Sequence, residues 1–272
     1  MGRVVFIGAG PGSADLITVR GAQRLAHADV VLFDALTDPA LRVYAPQAHW
    51  IDVGKRGAAP HAAPDAERST EQDAINACLV EQAEAHAVVV RLKGGDPGVF
   101  GRLEEELEAL AAAGIECEIV PGVTAALAAA ADAQRPLTRR GRGRSAALAT
   151  AMTREGRIEA GRSADTEVYY MAGRRLGALA RRLAVAGWSP DAPVLVVSRA
   201  GWPDALVSEH RVDTLAQATV LHAGRPTVVT VGAGAARIEA AAKAPRLAAS
   251  APKHAMPVPA ASAPAGEAVH SL

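Results

Sequence analysis

The sequence predicts an α/β protein of two α/β domains, and three observations carry that prediction. Short apolar runs alternate with helical stretches rich in Ala, Leu and Glu, the pattern of a largely parallel sheet with helices on its faces. The alternation begins again after "RPLTRRGRGR", which marks a second unit. Glycine recurs where strand candidates run out into loops, the places where open α/β sheets collect ligands. At 272 residues the chain can bury a real core, and with aromatics at only 3% that core must be Val, Leu, Ile and Ala.

In chain order, the first unit offers strands at Val4–Ile7, Val30–Phe33, Val88–Leu92 and Ile115–Val120. The stretch "VVFIGAGPGSADLIT" resembles a dinucleotide cradle at first sight. Gly8 and Gly10 fill the first and third glycine places, but Ser13 holds the sixth and Pro11 removes an amide donor from the loop. It is a glycine-rich turn of another kind. "GAAPHAAPDAE" lacks periodicity and reads as an exposed loop. In the "RSTEQDAINACLVEQA" that follows, Ser69 and Gln72 have capping-box spacing and open a helix of about four turns.

The second unit offers strands at Ser145–Ala151, Glu167–Met171, Val194–Arg199, Ala205–Val212 and Thr227–Val231. The boundary falls between Ala130 and Gly143, giving domains 1–135 and 136–244. From 245 to 272 the chain is Ala, Pro and Ser without an apolar face, a tail expected to be disordered.

Lys plus Arg equals Asp plus Glu at 29 each, which leaves no global field to attract nucleic acid or an anionic membrane surface. A basic site must be local, and the run Arg135, Arg139, Arg140, Arg142 and Arg144 supplies one. Cys78 and Cys117 stand alone and read as buried free thiols in a reducing compartment. No histidine has metal-ligand spacing, so no metal is expected. No apolar run approaches the roughly 20 residues that span a bilayer, and the start of the chain runs directly into a strand. The expected location is cytoplasmic.

Three strand-to-loop junctions carry the chemistry. The first is Gly8–Gly12. In the second, "VVVRLKGGDPGVFG", Gly94 and Gly95 let a ligand approach backbone and Asp96 offers a carboxylate. In the third, "IECEIVPGVTAALAAA", Pro121–Gly122 turns the chain and Thr124 offers a hydroxyl near a helix start. Their recurrence in one half of the molecule points to a shared cleft.

Taken together, "GAGPGSADLITVRG", "ADVVLFDAL", "DVGKRG", "VVVRLKGGDPGVFGR", "VPGVTAALAAAA", "PLTRRG", "VYYMAG" and "PTVVTVG" resemble the tetrapyrrole methylases, from residue 3 to about 232. The resemblance implies a homodimer of two-domain chains with S-adenosylmethionine folded into an interdomain cleft. Matched position by position, it implies cofactor contacts at Pro11, Gly94, Gly95, Asp96, Val99, Thr124, Ala125, Met171, Ala200 and Thr227. It places a proton acceptor at Asp34 and a proton donor at Lys55. The nearest branch methylates uroporphyrinogen III at C2 and C7 to give precorrin-2 for sirohaem or cobalamin.

The residue types suit that chemistry. Displacement at a sulfonium methyl depends on positioning rather than on a protein nucleophile. When a ring carbon takes the methyl group, a proton must leave the macrocycle, which gives Asp34 a base role. An octacarboxylate tetrapyrrole needs cations, for which Arg139 and Arg140 are the candidates. Asp34 also lies where a dinucleotide enzyme keeps its ribose-binding acid, a reading the glycine spacing opposes. Lys55 and Arg56 also read as solvated charges, and Met171 as plain core. Ala35, Ser13, Leu103–Glu104 and "ATAMT" depart from the family pattern. A same-fold methyltransferase acting on a later corrin precursor or RNA, or a non-catalytic S-adenosylmethionine-binding protein, are the alternatives.

Overall fold

Valine-rich strands build the first sheet. In the computed structural model, which describes residues 2–54, 65–153 and 156–238, β1 (Arg3–Gly8), β2 (Val30–Phe33), β3 (His49–Asp52), β4 (Val88–Lys93) and β5 (Cys117–Val120) order as β3-β2-β4-β1-β5. Every pairing in it is parallel. Alternation decides the faces: Val5, Ile7, Val31, Val90 and Leu92 pack on one side, and Val4, Phe6, Val30, Leu32 and Val89 on the other. Three helices make the crossovers: α1 (Val19–Leu25), α2 (Asp65–Ala85) and α3 (Leu103–Ala112).

After α4 (Ala125–Asp132) comes a second sheet of β6 (Ala146–Thr150), β7 (Thr166–Tyr170), β8 (Pro193–Ser198), β9 (Leu206–Arg211) and β10 (Thr227–Gly232), with α5 (Leu176–Val185) and α6 (Ala218–Leu221) between strands. Its order is β6-β7-β10-β8-β9. Only β6 and β7 run parallel; β7–β10, β10–β8 and β8–β9 are antiparallel. The largely parallel expectation therefore holds for the first sheet and fails for the second. The short link from Arg199 to Ala205 explains part of this, since a parallel neighbour needs a crossover of roughly a dozen residues. Both sheets belong to one compact unit, Met1–Arg237. The expected tail at 245–272 lies outside the described residues.

Two local expectations need correction. α2 begins at Asp65, so Ser69 lies inside the helix and does not start it; the Gln72 amide donates to Asn76 Oδ1 at 2.9 Å. Cys117 is exposed rather than buried, because β5 is an edge strand, while Cys78 is half-buried and burial pushes its thiol pKa up.

The second sheet holds a polar chain that is buried at Ser198 and His222 and half-buried at Ser208 and His210. Ser198 Oγ lies 2.7 Å from His222 Nδ1, and Ser208 Oγ lies 2.7 Å from His222 Nε2 and 2.8 Å from His210 Nε2. Burial lowers the pKa of His222, and the nearby His210 and Arg225 lower it further. A histidine depressed in the folded state takes its proton more readily when unfolded, so its contribution is intact above the ordinary 6.5 and is lost as pH falls below it. The melting temperature should fall between pH 7 and 5.5, and His222→Asn should flatten that slope; an unchanged slope rejects the assignment.

Candidate active site

The three glycine junctions of the first sheet interlock through bare backbone. Gly10 and Gly95 form an antiparallel bridge, with Gly95 N donating to Gly10 O at 2.7 Å. A Cβ on Gly122 would sit 2.3 Å from the Gly95 carbonyl oxygen and 2.7 Å from Gly8 Cα. The Asp96 carboxylate fastens the arrangement, accepting from Gly98 N and Gly122 N, each at 2.8 Å.

The second sheet closes on this cluster at two points. Ser13 donates to the Gly201 carbonyl from its amide at 2.9 Å and its hydroxyl at 3.1 Å. Gly12 must be glycine there, because its Cβ would lie 2.4 Å from that same oxygen. Tyr170, at the end of β7, places its hydroxyl 2.7 Å from Thr124 Oγ1 and accepts from Ala126 N at 3.2 Å. Thr124 is the N-cap residue of α4 but makes no side-chain cap of its own; Tyr170 provides the acceptor.

Between these contacts lies a cavity of about 450 Å³. Pro11, Gly94, Gly95, Asp96 and Val99 line it from the first sheet's loops, and Thr124 and Ala125 from the start of α4. Met171, Ala200 and Thr227 line it from the second sheet. All ten residues expected around a cofactor thus face one space, and Met171 is 52% exposed rather than core. Asp34 lines it too, its Oδ1 accepting from Leu36 N at 3.0 Å and its Oδ2 from Gly94 N at 3.3 Å. Lys55 lies outside the described residues.

A family model described as "Tetrapyrrole (Corrin/Porphyrin) Methylases" matches residues 3–216. The chain belongs to this family. The methylase is 39% identical over 246 residues to a uroporphyrinogen-III C-methyltransferase of Synechocystis sp., covering 86% of this chain and 89% of that protein. It is 41% identical to one from Pseudomonas aeruginosa, covering 73% and 80%. A solved Thermus thermophilus uroporphyrin-III C-methyl transferase, complexed with S-adenyl homocysteine, superposes with a TM-score of 0.72 at 35% identity over 85% of this chain and 97% of that one. The α/β fold is shared with it.

The arginine run of the methylase does not reach the cavity. Arg139 donates to the carbonyls of Ala233, Ala236 and Arg237 at 3.0–3.3 Å, Arg135 pairs with Glu209 at 2.9 Å, and Arg140 is absent from the lining. The local cations lie elsewhere: Arg91, Lys93, Arg102 and Arg199 line the cavity, against the carboxylates of Asp34 and Asp96. Arg91 and Lys93 share the fully buried Glu106, at 2.8 Å and 2.5 Å. Burial and the neighbouring Arg91 lower the Lys93 pKa, while Glu106 and Asp34 oppose that shift. The signal was present in "VVVRLKGG", where two cations alternate on a strand otherwise fit for a core.

Backbone strain gathers at the same place. Phe100 (φ +53°), Arg102 (+53°), Met171 (+61°) and Arg199 (+52°) are left-handed without being glycine, and all four line the cavity. Such residues cost on the order of 1–2 kcal/mol each and concentrate where a ligand is held.

Proposed function

We propose that this methylase transfers methyl groups from S-adenosylmethionine to C2 and C7 of uroporphyrinogen III, giving precorrin-2. The observation that carries the reading is the meeting of three backbone-only junctions and Asp34 at one cavity, in a chain 35% identical to an enzyme solved with S-adenyl homocysteine. The residues fit the cofactor: a Cβ at Gly95 meets no atom closer than 3.9 Å, so the space beside that backbone is open to a ligand. Pro11, Gly94, Gly95, Asp96, Val99, Thr124, Ala125, Met171, Ala200 and Thr227 would hold it. When bound, it supplies a methyl group activated by a sulfonium.

The chain's own part is to place a ring carbon before that methyl group and to take the proton that leaves afterwards. Asp34 is the acceptor in this reading, fixed by the amides of Leu36 and Gly94 so that its carboxylate need not reorganise. Lys55 is retained as proton donor on the resemblance alone, and Arg139 and Arg140 as substrate contacts on the need of an octacarboxylate for cations. Domains 1–135 and 136–244 divide the work into a catalytic half and a half that completes the pocket. A homodimer in the cytoplasm is part of the same reading; the edge strands β5 and β6 carry exposed Ile119 and Leu148, apolar surface of the kind a second protomer covers.

A second reading has a specific observation behind it. The methylase also superposes on a cobalt precorrin-4 methyltransferase with a TM-score of 0.70 at 29% identity, over 86% of this chain. Incubation with methyl-labelled S-adenosylmethionine and uroporphyrinogen III, followed by mass spectrometry, separates the two. Two labelled carbons on the tetrapyrrole are expected. No label on uroporphyrinogen III, with label on a later corrin precursor, selects the second.

A further inference from the structure

We propose that Arg199 is a carboxylate-binding residue of the cavity, a preset guanidinium fork that takes an acidic group of a bound ligand. The inference rests on the proposed function, since it presumes acidic ligands, and adds a site to it.

Arg199 lies in the link between β8 and β9 and lines the cavity beside Ala200. Its guanidinium is held on two sides. Nε donates to Asp204 Oδ1 at 2.8 Å, and the guanidinium carbon lies over the Trp202 ring, 4.4 Å from its centroid. Asp204 is itself secured by Arg225, which donates to Oδ2 at 3.0 Å. The Arg199 hydrogen bond draws Asp204 below the usual carboxylate range, so the anchor stays charged.

With Nε and the ring face used, the two terminal nitrogens remain, and they make no hydrogen bond among the described residues. These are the atoms that bind a carboxylate in the two-pronged mode of arginine. The Asp204 carboxylate is shared between Arg199 and Arg225, so it does not neutralise both. The backbone adds a third observation. Arg199 is left-handed at φ +52°, with its amide donating to Pro226 O at 2.8 Å. A long cationic side chain kept in a backbone state that glycine fills more easily implies that the side chain has work to do.

Two ligands of the proposed reaction carry carboxylates: the tetrapyrrole, on its side arms, and the cofactor, on its amino-acid end. The test uses the full chain with Arg199→Gln, which removes charge but retains bulk, and Asp204→Asn, which removes the anchor's charge and leaves the guanidinium in place. KM for uroporphyrinogen III, and calorimetric affinities for S-adenosylhomocysteine and for 5′-methylthioadenosine, which lacks the amino-acid end, are measured together with the melting temperature. Arg199→Gln should weaken one carboxylate ligand by roughly ten- to hundred-fold, with Asp204→Asn intermediate and 5′-methylthioadenosine unchanged. A rise in KM alone identifies the tetrapyrrole arm; loss of S-adenosylhomocysteine alone identifies the amino-acid end. Unchanged affinity for both, or parallel loss of 5′-methylthioadenosine, overturns the proposal. A wild-type protein that methylates uroporphyrinogen III while both variants match it sinks the inference and leaves the function standing. A wild type that neither methylates nor binds either carboxylate ligand sinks both.

Discussion

Asp34→Ala should lower turnover of uroporphyrinogen III by roughly 10²- to 10⁴-fold, the usual contribution of a positioned proton acceptor, while the affinity for S-adenosylhomocysteine stays as it is. The separation follows from the geometry. Asp34 accepts from the amides of Leu36 and Gly94, whereas the tight backbone cluster is made by Gly8, Gly10, Gly95 and Gly122 with Asp96. Removing the Asp34 side chain leaves that cluster untouched. Asp34→Asn keeps one of the two acceptor oxygens and loses the basicity, so it should be as inactive as the alanine variant. Single-turnover kinetics beside calorimetry make the measurement. Equal loss of cofactor affinity in both variants would move Asp34 from proton acceptor to pocket wall.

Gly122→Ala should have the largest effect on the folded protein. The new methyl group would lie 2.3 Å from the Gly95 carbonyl oxygen and 2.7 Å from Gly8 Cα, both backbone atoms that cannot swing aside. Overpacking of this kind costs about 3 kcal/mol, equivalent to a fall of roughly 5–10 °C in melting temperature, and it should also separate the two loops that border the cavity. Gly114→Ala is the control. Its φ of +69° adds a backbone penalty that Gly122 does not have, yet nothing lies within 4 Å of its Cβ, so it should cost only about 1 kcal/mol and leave cofactor affinity intact. Gly95→Val isolates the remaining effect: its Cβ clears every neighbour, and its branches fill the cavity from a backbone at φ +73°. Cofactor binding should vanish there. Equal melting temperatures for Gly122→Ala and Gly114→Ala would refute the backbone interlock.

Much of this site was legible from residue type alone because the property that matters, the missing Cβ, is local. Gly94, Gly95 and Gly122 announce themselves wherever they stand, and the aspartate after Phe33 falls at the end of a strand whose limits the apolar run marks. What was not legible depended on distant partners. The pairing of Arg91 and Lys93 with Glu106 spans 15 and 13 residues and joins a strand to the helix after it. Arg139 looked free in sequence, but its carbonyl partners lie 94 to 98 residues further on. β3 was missed because His49–Asp52 has no apolar run and borders the sheet, and a strand's direction in the second sheet is set by connections rather than by composition. Ser13, a departure from the family pattern, acquires its reason only when Gly201 arrives from the other sheet.

The Tyr170 hydroxyl that receives the amide of Ala126 has a consequence for how the molecule is assembled. The helix start that borders the cavity is completed by a strand made some forty residues later in the chain, as the separation of 44 positions records. A ribosome that has released only the first sheet has therefore not yet finished the wall of that cavity. Heat should correspondingly dissolve both layers in one concerted step, and neither half should serve as a stand-alone module in a transplant.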